Sequence, residues 1–196
     1  MHRRTVGLLL AAFSIAAASP AWAIDYTVDK DHSTISFKVR HLFSQVQGTF
    51  DQFEGAFTYV PDKPEVWKAA ATVQAAGINT HVEKRDQHLR SPDFFDVEKY
   101  PALTFTSTGL TDVSGTSARL HGDLMIHGVT KPVVFDLQIH GEGKDPWGNQ
   151  RSGFTATTTI NRKDFGLTWN QALESGQLLV GEEVVITLEI EGLAKG

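Results

Sequence analysis

Apolar and polar residues alternate with period two along most of the chain, the pattern of half-buried β-strands. In STISFKVR, Ile35, Phe37 and Val39 share one face while Ser36 and Lys38 take the other. ARLHGDLMI sets Leu120, Leu124 and Ile126 against Arg119, His121 and Asp123. VVFDLQIH sets Val133, Phe135, Leu137 and Ile139 against Asp136, Gln138 and His140. EVVITLEIE repeats the scheme with Val184, Ile186, Leu188 and Ile190, SGFTATTTINR with Phe154, Ala156 and Ile160, and PALTFTS with Leu103 and Phe105. VQGTFDQFEGAFTYV changes parity midway: Val46, Gly48 and Phe50 lie on one count, Phe53, Gly55 and Phe57 on the other. A β-bulge near Asp51-Gln52 restores a common face and bends the strand. VWKAAATVQAA is read as a strand with small inward residues, although alanine also favours helix.

Turn residues separate these runs: Pro61 to Pro64, Ser114-Gly115, His127-Gly128 and GKDPWGN from Gly143 to Asn149. One stretch reads as helix, from about His81 to Arg90, with a shorter turn through Phe94-Phe95. About eight antiparallel strands with one apolar and one polar face close most economically into an all-β, up-and-down, lipocalin-like barrel. A two-sheet β-sandwich is the alternative, but closure removes the edges a sandwich must protect. Glycines 48, 55 and 122 and alanines 69, 71 and 156 fall on the inward count and predict open space inside, against the alternative of an ordinary packed barrel.

The first residues change the picture of where the chain works. Arg3 and Arg4 precede an apolar run from Val6 to Ala18, and Ala21-Trp22-Ala23 forms a small-x-small site. The run is about 13 residues, shorter than the ~20 that span a bilayer. It predicts a signal peptide over residues 1–23, cleaved to leave a single domain over 24–196, exported to the periplasm without a stable membrane anchor. The remaining chain carries 16 basic and 23 acidic residues, a formal −7. That sign argues against nucleic acid as a partner. The chain has no cysteine, so there is no thiolate nucleophile or metal site, and no disulfide supports the core.

Candidate catalytic constellations mostly dissolve. His81 and His88 lie seven apart on the helical stretch, about 10.5 Å of rise, too far for one metal ion. Asp29-Lys30-Asp31 lacks the glycine and closing glutamate of a calcium loop. Asp164-Phe165-Gly166 stands without a phosphate loop, and no Gly-x-Ser-x-Gly elbow is present. No metal, cofactor or catalytic residue is expected.

INTHVEKRDQHLRSPDFFDVEKYPALTFTST resembles the central signature of the YceI-like family of exported lipid-binding proteins. DHSTISFKVRHLFSQVQGTFDQFEGAF, GDLMIHGVTKPVVFDL, INRKDFGLTW and EEVVITLEIE match further pieces in order, so the resemblance spans the chain after residue 23. It implies a lipocalin-like barrel whose apolar cavity holds a polyisoprenoid, such as an isoprenoid quinone, or another long-chain lipid. It implies a carrier or sequestering protein, with no metal and no catalytic residue. The alternatives are an enzyme acting on the lipid head, with His88 or Asp86 as acid–base groups, and an interaction partner of a membrane redox protein. A homodimer through one strand face is also considered.

Parity and the resemblance together nominate Phe37, Phe50, Phe53, Phe57, Phe105, Phe135 and Phe154 as cavity lining. Phe94, Phe95, Phe165 and Trp169 are placed near its ends, and Arg85 and His88 at the mouth, where a lipid head would sit. From the residues alone, Arg85, Asp86 and His88 also read as architecture that ties a crossing segment to strand ends.

Overall fold

The computed structural model describes residues 23–61, 63–174 and 176–195; the leader expected over 1–23 lies, except for Ala23, outside them. Eleven strands appear among the described residues. They are β1 (Ile24–Val28), β2 (Thr34–His41), β3 (Ser44–Phe50), β4 (Phe53–Tyr59), β5 (Lys68–Gln74), β6 (Ile78–Asn79), β7 (Ala102–Ser114), β8 (Ser117–Ile126), β9 (Val129–Lys144), β10 (Gln150–Asn161) and β11 (Val180–Ala194). The helix α1 spans Glu83–Arg90, inside the stretch the sequence marks as helical.

The eleven strands make eight staves, because three staves are interrupted. β1 and β2 flank a 3-10 turn at Lys30–His32, β3 and β4 flank Asp51-Gln52, and β5 and β6 flank a 3-10 turn at Ala75–Gly77. Every stave pairs antiparallel with its sequence neighbours, and the last closes on the first. β11 pairs with β2 through Ile186↔Phe37 and with β1 through Tyr26↔Ala194. The fold is a closed, up-and-down, eight-stave barrel, and the sandwich alternative falls because no open edge separates two sheets.

Local chemistry explains several of these boundaries. The parity change at Asp51-Gln52 is a real interruption, and Phe50, Phe53 and Phe57 are all buried on either side of it. Asp51 is held there by the Thr49 hydroxyl at 2.7 Å and the Asn79 side-chain amide at 2.8 Å. β8 alternates without exception between outward residues and Ala118, Leu120, Gly122, Leu124 and Ile126 inside. His127 and Gly128 then form a two-residue hairpin with φ of 51° and 73°, which the right-handed twist of paired strands favours. A Cβ on Gly128 would also lie 2.6 Å from the Tyr100 ring.

One expectation needs correction. The glycines at 48 and 122 do not leave open space, because cross-strand phenylalanines lie over them. A Cβ on Gly48 would sit 2.6 Å from the Phe37 ring, and one on Gly122 2.4 Å from the Phe105 ring. Gly55 is closed in by the Ala70 carbonyl at 3.0 Å. Ala156 is fully buried in packed core beside Phe135 and Leu137. Of the six small positions, only Ala71 faces the main cavity.

The two barrel ends differ. At the upper end stand α1, the turn through residues 91–100, the hairpin tips at 42–43 and 127–128, and the segments 162–174 and 176–179. At the lower end, Tyr26 stacks on Phe57 at 4.9 Å and Phe154 meets Phe57 edge-on at 5.1 Å. Tyr26 is fully buried and its hydroxyl donates to Glu142 at 3.0 Å. Burial first, then that carboxylate, push its phenol pKa up to about 12. The lower end is a plug.

Candidate functional site

The upper part of the barrel encloses a cavity of about 580 Å³, within the ~300–1,000 Å³ usual for small-molecule sites. Its wall comes from staves all round the barrel, with Ile35, Phe37 and Val39 of β2 facing Leu103, Leu124 and Phe135. Val184, Ile186 and Leu188 of β11 complete it. These β2 and β11 residues point inward yet are only partly buried, unlike the inward residues of β8. Incomplete burial on the inner face is what a hollow produces; a packed barrel would bury both sets.

Aromatic rings line the cavity at three depths. His88, Phe94 and Trp169 form a mutually contacting triad at the mouth, with ring centroids 4.9–5.1 Å apart. Phe50 sits deeper, 5.8 Å from Phe37 and 5.7 Å from Phe95. Phe105 and Phe135 meet edge-on at 5.4 Å toward the floor. Below them a separate void of about 40 Å³, lined by Phe57, Trp67 and Phe154 among others, shares no residue with the main cavity.

Thus Phe37, Phe50, Phe94, Phe95, Phe105, Phe135, Trp169, Arg85 and His88 are brought together around one cavity, and four nominated residues are not. Phe57 and Phe154 belong to the lower plug, because inward parity fixes the face of a residue but not its height. Phe53 is packed at the start of β4, and Phe165 is 2% exposed in the upper core with Ile160 and Leu167.

The helix closing part of the mouth is held by its own charged residues. The Asp86 carboxylate accepts hydrogen bonds from the Thr80 amide at 2.9 Å and the Thr80 hydroxyl at 2.5 Å. Arg85 donates to the Thr80 hydroxyl at 2.7 Å and carbonyl at 2.9 Å. Arg90 donates to the carbonyls of Ala76 and Ile78 at 2.9 and 2.8 Å. Asp86 is 4% exposed and does not line the cavity, so it is not placed to exchange a proton with a molecule inside. His88 pairs with Asp93 at 2.8 Å at the half-exposed rim.

Arg162 is a wall residue that is missing from those nominated above. It stands just past β10, is 4% exposed, and donates from Nε to the Gly181 carbonyl at 2.8 Å and from Nη1 to the Leu167 carbonyl. Its Nη2 has no hydrogen-bond partner among the described residues. Burial pushes the guanidinium pKa down, and Glu182 partly opposes that shift. A buried donor left without an acceptor costs ~1–3 kcal/mol, more when charged. Parity could have found it: Phe154, Ala156, Ile160 and Arg162 share one count along β10.

Large exposed apolar side chains cluster at the ends of the barrel. Phe43, Val82 and Leu178 are exposed at the upper end and Val113 and Trp147 at the lower, with Val185 on the wall. Near the lower end, Asp29, His32 and Glu191 come within 4.8 Å of one another. The Arg151 guanidinium already bridges Asp29, Asp145 and Glu191 there, which supplies the positive charge those carboxylates need.

Comparison with known proteins gives a consistent picture. The family model of the YceI-like domain matches residues 26–192. A UPF0312 protein of Pseudomonas putida (strain W619) is 42% identical over 170 residues, covering 85% of this chain and 88% of the relative. The crystal structure of the Campylobacter jejuni YCEI protein superimposes with a TM-score of 0.70 at 26% identity, covering 95% of this chain and all of the other. A polyisoprenoid binding domain from Saccharophagus degradans superimposes with a TM-score of 0.64 at 16% identity, covering 87% and 98%.

Proposed function

The chain belongs to the YceI-like family, and we propose that it is a periplasmic binding protein that carries or sequesters a long-chain amphiphilic lipid in its barrel. The observation that supports this best is the cavity itself: an apolar bore of about 580 Å³, plugged below and bordered by polar groups above. The ligand class is a polyisoprenoid or a lipid of similar shape, in line with the name of the Saccharophagus degradans domain that shares the fold. The leader read in residues 1–23 is the ground for the periplasmic placement.

Tail burial provides the affinity. Each buried CH₂ contributes ~0.8 kcal/mol, so ten carbons contribute ~8 kcal/mol before association costs. Micromolar binding needs ~8.2 kcal/mol net, so a tail of more than ten carbons is required. Selectivity then comes from bore length and width, and from the polar groups at the mouth. Of the two acid–base candidates, the Asp86 carboxylate is spent on Thr80 and stands off the cavity, which leaves His88, paired with Asp93 at the rim, as the group a catalytic reading would need.

Filling the bore tests this reading. Ala71 faces the cavity between Gly55 and Phe105. Ala71→Phe is expected to lower uptake of a fluorescent polyene lipid by at least ~10-fold, a change of ~1.4 kcal/mol, while thermal unfolding stays cooperative. Unchanged uptake by a folded Ala71→Phe protein would exclude a site inside the barrel.

A further inference from the structure

Apolar side chains stand in water around the upper end of the barrel. Phe43 is 87% exposed, and Val82 and Leu178 are each 47% exposed. They border the cavity, since His41, Val82 and Leu179 line it. The Leu42 amide donates to the Leu179 carbonyl at 3.0 Å, which holds the 42–43 tip against the segment bearing Leu178. That tip runs against turn chemistry. Leu42 and Phe43 are the whole loop between β2 and β3, and Leu42 takes a φ of 50°, where short hairpins usually place Gly, Asn or Asp. So exposed a ring adds little to the packing of the fold. The charges beside it fit an anionic surface. Glu83 accepts from Gln87 and faces Arg90, Asp86 accepts from Thr80, and Asp93 pairs with His88. Lys84, shortly after Val82, and Arg40, just before the tip, are exposed and have no carboxylate partner among the described residues.

We propose that this rim docks on the surface of an anionic phospholipid bilayer, with Phe43 and Leu178 at the headgroup boundary and Lys84 and Arg40 against the phosphates. The proposal rests on the lipid-binding reading and adds the surface across which the lipid enters and leaves. Exposed apolar residues flanked by cations are the chemistry of an interfacial lipid contact. A molecule leaving a bilayer then reaches the cavity past Val82 and Leu179 without crossing open water. A second copy of the chain is a poorer occupant, because it would set two cationic rims face to face and cover the mouth. The expected mature chain is formally −7, so its other faces are repelled by the same surface, which makes the contact oriented and reversible. The closed lower end supplies a control. Trp147 is 81% exposed there, on a tip pinned by bonds from the Trp147 and Asn149 amides to the Asp145 carboxylate. It matches Phe43 in exposure but stands away from the mouth.

The test floats the mature protein with vesicles of phosphatidylethanolamine and phosphatidylglycerol at low salt. Phe43→Ser is expected to lower partitioning onto the vesicles by at least ~10-fold, and Trp147→Ser to leave it unchanged. Exchanging phosphatidylglycerol for phosphatidylcholine should weaken the wild type as well. A second readout follows uptake of a fluorescent polyene lipid offered either in vesicles or on cyclodextrin. Phe43→Ser is expected to slow uptake from vesicles by at least ~10-fold and to leave uptake from cyclodextrin unchanged, since Phe43 does not line the cavity. A wild type that does not float, equal partitioning of wild type and Phe43→Ser, or an equal loss with Trp147→Ser would overturn the docking and leave the lipid reading standing. So would a dimer in sedimentation velocity that Phe43→Ser dissociates, because a second copy would then cover this face. No uptake by the wild type from cyclodextrin would bring down the lipid reading and, with it, the docking as a route for cargo.

Discussion

Gly122 and Arg151 show what single residues decide in this barrel. Gly122 is the floor on which the Phe105 ring rests: a Cβ at this position would lie 2.4 Å from the ring and 2.7 Å from the Thr106 carbonyl. Gly122→Ala is expected to destabilise by about 1–3 kcal/mol, the usual cost of overpacking. Gly109→Ala, with nothing within 4 Å, should stay within about 0.5 kcal/mol; urea unfolding of the two variants checks the contrast. Arg151 lowers the pKa of Asp29 and Asp145 below the ordinary value of 3.8, chiefly through its hydrogen bonds. The unfolded chain therefore takes up protons before the folded one as pH falls through about 4, and the associated stability is present above that point and lost below it. Arg151→Met should lower stability at neutral pH and flatten its decline below about pH 4, as read from urea midpoints across the acid range. Residue identity was informative for faces and poor for heights. Parity put Phe37 and Phe57 on the same inner surface, yet only the register of neighbouring staves separates the cavity wall from the plug. Arg162 kept the inward parity of β10, and its charge alone disguised it.

Among the elements, α1 and the broken strands carry the design. The helix is short, has no side-chain N-cap, and presents charge on most of its surface. Such a segment is marginal by itself. Bonds from Asp86 and Arg85 to Thr80, and from Arg90 to the Ala76 and Ile78 carbonyls, fasten it across the barrel top. Asp86→Ala removes two bonds to a buried carboxylate and should cost about 3 kcal/mol. Its clearer signature is local: amide exchange should accelerate through residues 80–90 while the β8–β9 hairpin stays protected. The helix and the interruption at Asp51-Gln52 were legible because each breaks a periodicity. The purpose of the helix charges was legible only as a choice between architecture and head-group contact. Their hydrogen bonds make Asp86 and Arg90 architecture, while Arg85 both fastens α1 and lines the cavity. The glycines read as open space in the sequence, since a one-dimensional pattern does not reveal that a neighbouring strand's ring fills the gap.

At the scale of the whole molecule, eight staves close because β11 reaches both β1 and β2, and closure makes an interior without an exposed sheet edge. The lower end is filled by Tyr26, Phe57 and Phe154, and the upper end stays hollow beneath α1 and the aromatic triad at the mouth. Closure follows from uniform alternation in the sequence, but which end is plugged depends on side chains brought together from distant strands. The resulting shape is a blind, greasy pocket with positive charge near its opening. Occupancy by one lipid tail is the central claim, and native mass spectrometry of the protein purified from the organism that makes it reads that directly. The account predicts a species heavier than the bare chain by one amphiphile, which organic extraction releases as a long-chain molecule. A bare chain alone, still bare after incubation with excess long-chain amphiphile, would contradict it.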